Sequence, residues 1–235
     1  MPNSYFQFKQ FTIQQDKSAM KVCTDSCVFG AWSARHLNEA KKILDAGAGT
    51  GLLSLMLAQK SESQIDSIEL DPDSAVQALE NIMASPWSKR IRLLEGNVLN
   101  YPLRSEYDFI ISNPPFFDSD LRSPMEKKNK AKHEETLKLD ELIVFIRNHL
   151  KITGTFSILL PFHRNDYFKN LARTHGFFLL QQLIVRQTPA HHPFRSISLF
   201  GFQKPEISDS NELIIKNENG KYTREFVDLM SDYYD

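Results

Sequence analysis

The sequence predicts an α/β protein: a doubly wound, mostly parallel sheet of seven strands, with helices on both faces and an antiparallel last strand. Three observations carry this. Between Lys42 and Leu160, short β-rich apolar runs alternate with amphipathic segments, which is how βα units wind a parallel sheet. The first run stops at a glycine-rich turn that opens straight into a helical pattern. Beyond Gly176, "FFLLQQLIVRQ" and "SISLFGFQK" follow one another with no helix between them, so they pair antiparallel.

The elements follow in order. Phe6, Phe8, Phe11 and Ile13 suit a small half-buried ribbon, and "DSCVFGAWSARHL" a helix capped by Asp25. Residues 1–40 are thus expected to form an N-terminal cover ahead of one main domain, 41–235. "KILDA" is the first strand of the sheet and "LLSLMLAQ" its first helix, followed by strand "QIDSIEL" and helix "PDSAVQALENIMA", where Pro72 suits the first turn. "IRLLEG" and "YDFIIS" are the third and fourth strands. In "LDELIVFIRNHL", Asp140, Leu142, Ile143, Phe145, Ile146 and Leu150 fall on a helical repeat with an apolar stripe, and Gly154 is expected to close that helix. "TFSILLP" is the fifth strand. "NDYFKNLARTHG" is a further helix, ending at Gly176, before the last two strands. The tail "NGKYTREFVDLMSDYYD" suggests a turn at Asn219-Gly220 and a short helix. No internal repeat is visible, and only residues 118–135 look like a long loop.

Composition narrows the partners. The 235 residues are 41% hydrophobic, enough for one substantial core, and 28 Lys plus Arg nearly cancel 29 Asp plus Glu. Any nucleic-acid contact must therefore come from local patches. Cys23 and Cys27 lack a second pair and read as free thiols of a reducing compartment. The N-terminus lacks the uninterrupted apolar stretch of a signal peptide, and no window has the length of a membrane span. A cytoplasmic protein with no membrane association and no obligate protein partner is the expectation.

The chemistry begins at "ILDAGAGTGLLSLML". Gly47, Gly49 and Gly51 stand between a strand ending near Asp45 and a helix whose free N–H groups and positive end suit a polar ligand. The spacing is not G-x-G-x-x-G, and a carboxylate at Asp45 would repel a pyrophosphate. Asp45 would anchor an ammonium or an ordered water instead, which favours S-adenosylmethionine over a dinucleotide. Glu69, closing the second strand in "SIELDPD", can accept hydrogen bonds from both hydroxyls of an adenosine ribose, while Asp71 and Asp73 suit the start of the next helix. Asn97, after the third strand, can reach the adenine amino group.

The fourth strand stops at "SNPPFF". Two prolines fix the backbone and remove two N–H donors, which leaves the Asn113 side chain and the Pro114 carbonyl as acceptors. Asn113, Pro114, Pro115 and Phe116 are therefore the candidate catalytic group. Asn113 and Pro114 would receive the two hydrogens of an amino nitrogen, and Phe116 would stack on the ring that carries it. Such methyl transfer rests on positioning and needs no strong base. Phe117 is either a second residue for the same contact or simply part of the core.

"DAGAGTG", "IELDP" and "NPPF" together resemble the class I, Rossmann-like S-adenosylmethionine-dependent methyltransferases that modify exocyclic amino nitrogens or amides. With "FKQFTIQQDKSAMKVCTDSCVFGAW", "ARHLN" and "KHEETLKLDELI", nearly the whole chain is similar to the bacterial valine-tRNA (adenine-N6)-methyltransferase family. The resemblance implies methylation of the adenine 3′ of the anticodon, with S-adenosylhomocysteine as product and tRNA as partner. It also implies that Lys21, Thr24 and Asp25 lie over the methionine end of the cofactor, as part of the cover. Cys23 and Ser26-Cys27 depart from the family's pattern, which has small Gly-containing turns there.

Weaker features surround this site. Lys127, Lys128, Lys130, Lys132 and His133 follow the NPPF loop and are either a solvated loop or phosphate contacts for RNA. Arg195, with Arg186, His191 and His192, is expected in a hairpin connection, as an RNA contact or a structural one. Adjacent histidines without carboxylate partners make a poor metal site, so no metal is expected. The Asn-Pro-Pro chemistry would equally serve a glutamine amide of translation release factors or a ribosomal-RNA guanine N2. A non-catalytic cofactor-sensing module and a nicotinamide-dependent reductase complete the alternatives.

Overall fold

A computed structural model describes residues 3–18, 20–115 and 138–234. The chain opens with a two-stranded antiparallel ribbon, β1 (Tyr5–Gln7) and β2 (Thr12–Gln14), and helix α1 (Thr24–Ala34). Strand β3 (Lys42–Ala46), helix α2 (Leu52–Lys60), β4 (Gln64–Glu69), α3 (Pro72–Met83), β5 (Ile91–Glu95) and β6 (Tyr107–Ser112) follow. Then come α4 (Leu139–His149), β7 (Leu150–Pro161), α5 (Asn165–Thr174), β8 (Phe178–Arg186), β9 (Arg195–Gly201), β10 (Asp209–Ile214) and α6 (Arg224–Met230).

One sheet of eight strands carries the order β10-β8-β9-β7-β6-β3-β4-β5. β9 runs antiparallel to both β7 and β8, as expected for strands joined without a helix, and every other pair is parallel. The expected seven strands are thus extended by β10, which pairs parallel with β8. Chain progression reverses between β3 and β6, and at such a switch point the loops leaving the strands diverge and open a crevice.

Both faces of the sheet are covered, so its strands read as almost continuous apolar runs. Alternation still divides them. Ile43, Phe109, Ile111 and Leu159 face one core, shared with Val28, Met56 and Phe226 of the flanking helices. Leu44, Ile110, Phe156 and Ile158 face another, shared with Leu142, Ile146 and Phe168.

Local chemistry explains most boundaries. Pro72 opens α3, and Asp71 caps it by accepting from Ser74 N at 3.0 Å. Gly176, with φ +84°, follows α5, and Gly220, with φ +74°, makes the turn before α6. Two expectations are corrected. Asp25 is not the cap of α1: Cys23 flanks the helix without a side-chain bond, and Asp25 sits in its first turn, where a negative charge suits the helix dipole. Gly154 does not close α4, which ends at His149 and enters β7 directly; it lies where β7 breaks register with β6. A Cβ there would stand 2.9 Å from the Asp108 carbonyl oxygen and 3.0 Å from that of Lys151, so close backbone approach selects the glycine.

The ribbon is held down by α3. Asn81 Oδ1 accepts from Gln14 N at 2.8 Å, while its Nδ2 donates to the carbonyls of Gln14 and Thr50, each at 2.9 Å. Gln77 accepts from Lys17 N at 3.0 Å. In the ribbon Phe6 is half-buried and Ile13 buried, the other positions being half-buried or exposed, and Phe8 and Phe11 are buried in the connection between its strands.

Candidate active site

The turn after β3 requires its glycines. Gly47, Gly49 and Gly51 have φ of +90°, +55° and +80°, the left-handed region that side chains resist. At Gly47 and Gly49 an added Cβ would meet nothing within 4 Å, so their faces border open space. Gly47 N and Ala48 N both donate to the Ile68 carbonyl, at 3.0 and 2.9 Å, which ties the turn to β4.

Asp45 lies beneath this turn, wholly buried. Its Oδ2 accepts from Ser54 N at 3.1 Å and Ser54 Oγ at 2.7 Å, and that hydroxyl is 2.6 Å from Ser67 Oγ. Its Oδ1 has no protein partner. Burial pushes the carboxyl up to about 7, the Ser54 bonds pull it down, and the Glu69 charge adds to the rise. Sequence reasoning missed Ser54. Its signal was a hydroxyl inside the apolar helical run "LLSLML".

Glu69, at the end of β4, spans the turn and the next helix: Oε2 accepts from Gly49 N at 2.7 Å and Oε1 from Asp71 N at 2.9 Å. Each oxygen retains a further lone pair for a hydroxyl. Asn97 is half-buried, and its Oδ1 caps the short turn Val98–Asn100 by accepting from Leu99 N at 3.0 Å.

Across the switch point, Ser112 Oγ donates to the Ala46 carbonyl at 2.7 Å and locks the end of β6 to β3. Asn113 follows, half-buried, with Pro114 buried and Pro115 exposed. Asn113 Nδ2 donates to Ser26 Oγ at 3.3 Å, while Oδ1 is buried without a partner. Among the described residues, two of the three buried side-chain oxygens or nitrogens without a partner are therefore on Asp45 and Asn113, at the exits of adjacent strands.

The start of α1 bears on this corner. Asp25 Oδ2 accepts from Arg195 Nε at 2.6 Å, which brings together a residue expected at the cofactor and one expected at the substrate. Thr24 is half-buried as the first residue of the helix. Lys21 is exposed and its ammonium donates to the Gln15 carbonyl. Both cysteines are free thiols, and burial pushes Cys27 up to about 12. His191 bonds to Thr188 Oγ1 at 2.6 Å, and His192 is exposed. Phe116, Phe117, Lys127, Lys128, Lys130, Lys132 and His133 lie outside the described residues. Among those described, no cluster of His, Cys, Asp or Glu could hold a metal, and no helix is long and apolar enough to cross a membrane.

Comparison with known proteins shows the family. Residues 31–165 match the family model of the methyltransferase small domain. The tRNA1(Val) (adenine(37)-N6)-methyltransferase of Bacteroides fragilis is 37% identical over 237 residues, covering 100% of this chain and 99% of the relative. That of Dyadobacter fermentans is 41% identical over 238 residues, covering 99% and 98%. The chain belongs to this methyltransferase family. Its fold is shared more widely: the glycopeptide N-methyltransferase MtfA, in complex with S-adenosylmethionine, superimposes with a TM-score of 0.55 at 12% identity, over 74% of this chain and 94% of that one. Membership makes the protein an enzyme of the S-adenosylmethionine-dependent methyltransferase class.

Proposed function

We propose that the protein methylates the N6 amino group of an adenine in tRNA, adenine 37 of tRNA(Val), using S-adenosylmethionine and releasing S-adenosylhomocysteine. The observation that carries the reading is the buried, partnerless Asn113 Oδ1 beside Pro114, across the switch point from the glycine turn. An acceptor without a donor at a strand exit suits a substrate that brings its own hydrogens.

The residues fit the cofactor. Asp45 Oδ1 offers a buried negative partner to an ammonium, directly or through water, Glu69 has lone pairs for ribose hydroxyls, and the faces of Gly47 and Gly49 leave room for the ligand. Asn97 supports the adenine end, and Lys21, Thr24 and Asp25 the methionine end. When bound, S-adenosylmethionine supplies an electrophilic methyl group. Asn113 Oδ1 and the Pro114 carbonyl accept the two N–H bonds of the adenine amine and turn its lone pair toward that methyl. Pro115 stiffens the exit, Phe116 stacks on the base, and the hydrogen that nitrogen gives up passes to solvent. Orientation supplies the acceleration, so the reading invokes no metal.

Residues 1–40 act as a cover over this site, supported by the Ser26 and Asp25 bonds, and residues 41–235 as the methyltransferase domain. Arg195 and the Lys127–His133 stretch are assigned to the tRNA backbone, and the enzyme works in the cytoplasm with its substrate. The test is incubation with methyl-labelled cofactor and unmodified tRNA(Val), followed by mass spectrometry of nucleosides. N6-methyladenosine at position 37 is expected. Protein that binds S-adenosylhomocysteine yet labels release factor or ribosomal subunits, and not tRNA, would overturn the substrate.

A further inference from the structure

We propose that Ser26 fixes the orientation of the Asn113 amide, so that oxygen rather than nitrogen meets the substrate amine; the inference rests on the role given to Asn113 above. An asparagine amide has two nearly isosteric orientations, and only one of them can accept a hydrogen from an amine. In the other, an –NH2 group would face an –NH2 group. Asn113 Nδ2 donates to Ser26 Oγ at 3.3 Å, and this bond is what turns the partnerless Oδ1 the other way.

A serine hydroxyl donates as readily as it accepts, so it selects an orientation only when its own hydrogen is engaged elsewhere. Cys23 Sγ lies 3.0 Å from the same Oγ, a contact in which either atom can be the donor; we take the hydroxyl as donor to the sulfur, which leaves the oxygen lone pairs for Asn113. Ser26 is itself held in place. It is 7% exposed, its backbone N donates to Asp25 Oδ1 at 3.1 Å, and Asp25 is anchored by Arg195. Cys23, Ser26 and Asn113 thus form a directional chain from the N-terminal segment to the exit of β6. Ser26 touches no reacting atom and is a positioning residue.

Single-turnover methylation of unmodified tRNA by the full chain tests this, with Ser26→Ala, Ser26→Thr, Cys23→Ala and Asn113→Ala beside the wild type. Loss of one orienting hydrogen bond should slow Ser26→Ala about tenfold. Its affinity for S-adenosylhomocysteine and its KM for tRNA should stay within about twofold, and its Tm within about 2 °C. Ser26→Thr keeps the hydroxyl and should run within about threefold of wild type, whereas Cys23→Ala, which frees the hydroxyl hydrogen, should slow the step about threefold. A Ser26→Ala rate within twofold of wild type overturns the inference, as does an equal loss in Ser26→Thr, or a loss confined to cofactor affinity. If Asn113→Ala is slow while Ser26→Ala is not, the reading of Asn113 stands and only Ser26 falls. If Asn113→Ala keeps the full rate, that reading falls and takes Ser26 with it.

Discussion

Replacing Asp45 with asparagine should make the ligand-free protein more stable and its cofactor binding weaker. The carboxyl titrates near 7 instead of 3.8, chiefly because burial penalises its charge, against the opposing pull of the Ser54 bonds. A displacement of that size corresponds to on the order of 4 kcal/mol above neutral pH. The sign follows from proton linkage. The folded protein keeps this proton to about 7 while the unfolded chain releases it near 3.8, so the group's contribution to stability is full below 3.8, is lost as pH rises from there to about 7, and levels off above. Asparagine removes the charge and its oxygen can keep both Ser54 bonds. Its amide nitrogen then occupies the partnerless position, which offsets the gain by about 1–3 kcal/mol. Urea unfolding at about pH 8 should show a net stabilisation of about 1–3 kcal/mol, vanishing at about pH 5. Calorimetric titration with S-adenosylmethionine should show affinity lowered about 30-fold at pH 8, as expected for a lost charge-assisted bond. Wild-type affinity should rise with pH up to about 7, and that of the variant should not. A variant less stable at pH 8 than at pH 5 relative to wild type, or one with unchanged affinity, would refute the reasoning.

Three further substitutions probe other parts of the fold. Gly49→Ala meets no neighbour but must hold φ +55°, so it should cost about 1–2 kcal/mol of stability and a larger share of cofactor affinity, read by denaturation and titration side by side. Asp66→Ala removes the acceptor of the buried Tyr107 hydroxyl at 2.8 Å and of Arg92 Nε at 2.9 Å. It should destabilise by about 2–4 kcal/mol, with the single-turnover rate at low temperature unchanged, because this network lies away from the strand exits. Gly154→Ala drives a Cβ against two carbonyl oxygens and should lower stability by about 2 kcal/mol or more, seen as a fall in Tm.

The glycine turn and Glu69 could be read in the sequence because local rules select them: left-handed backbone wants glycine, and a carboxylate at a strand end stands beside the next turn. The Asn-Pro-Pro exit was legible for the same reason, since removing N–H donors is a property of the residues themselves. What escaped depends on distant partners. Asp25 looked like a helix cap because its true partner, Arg195, lies 170 positions away, and the Ser26–Asn113 bond spans 87. Gly154 followed a helical pattern and was read as its end, although the reason for glycine there is the carbonyl of Asp108 on a neighbouring strand. β10 went unseen because "DSNELI" has little of the apolar character that marks a strand.

That polar character has a consequence for how the molecule behaves in a crowded solution. β8 carries Leu179, Leu180, Leu183, Ile184 and Val185, and left as the border of the sheet it would offer a ready template to any extended chain. β10 takes that place through a full parallel register, and presents exposed Asp209, Ser210, Asn211 and Glu212 instead. Unpaired backbone groups remain on its outer side, but its exposed side chains are polar, with Glu212 tied to Arg186 of β8, and offer no apolar surface for a second copy to bury. The final strand thus guards against self-association, and a chain lacking it would be expected to aggregate before it lost its site.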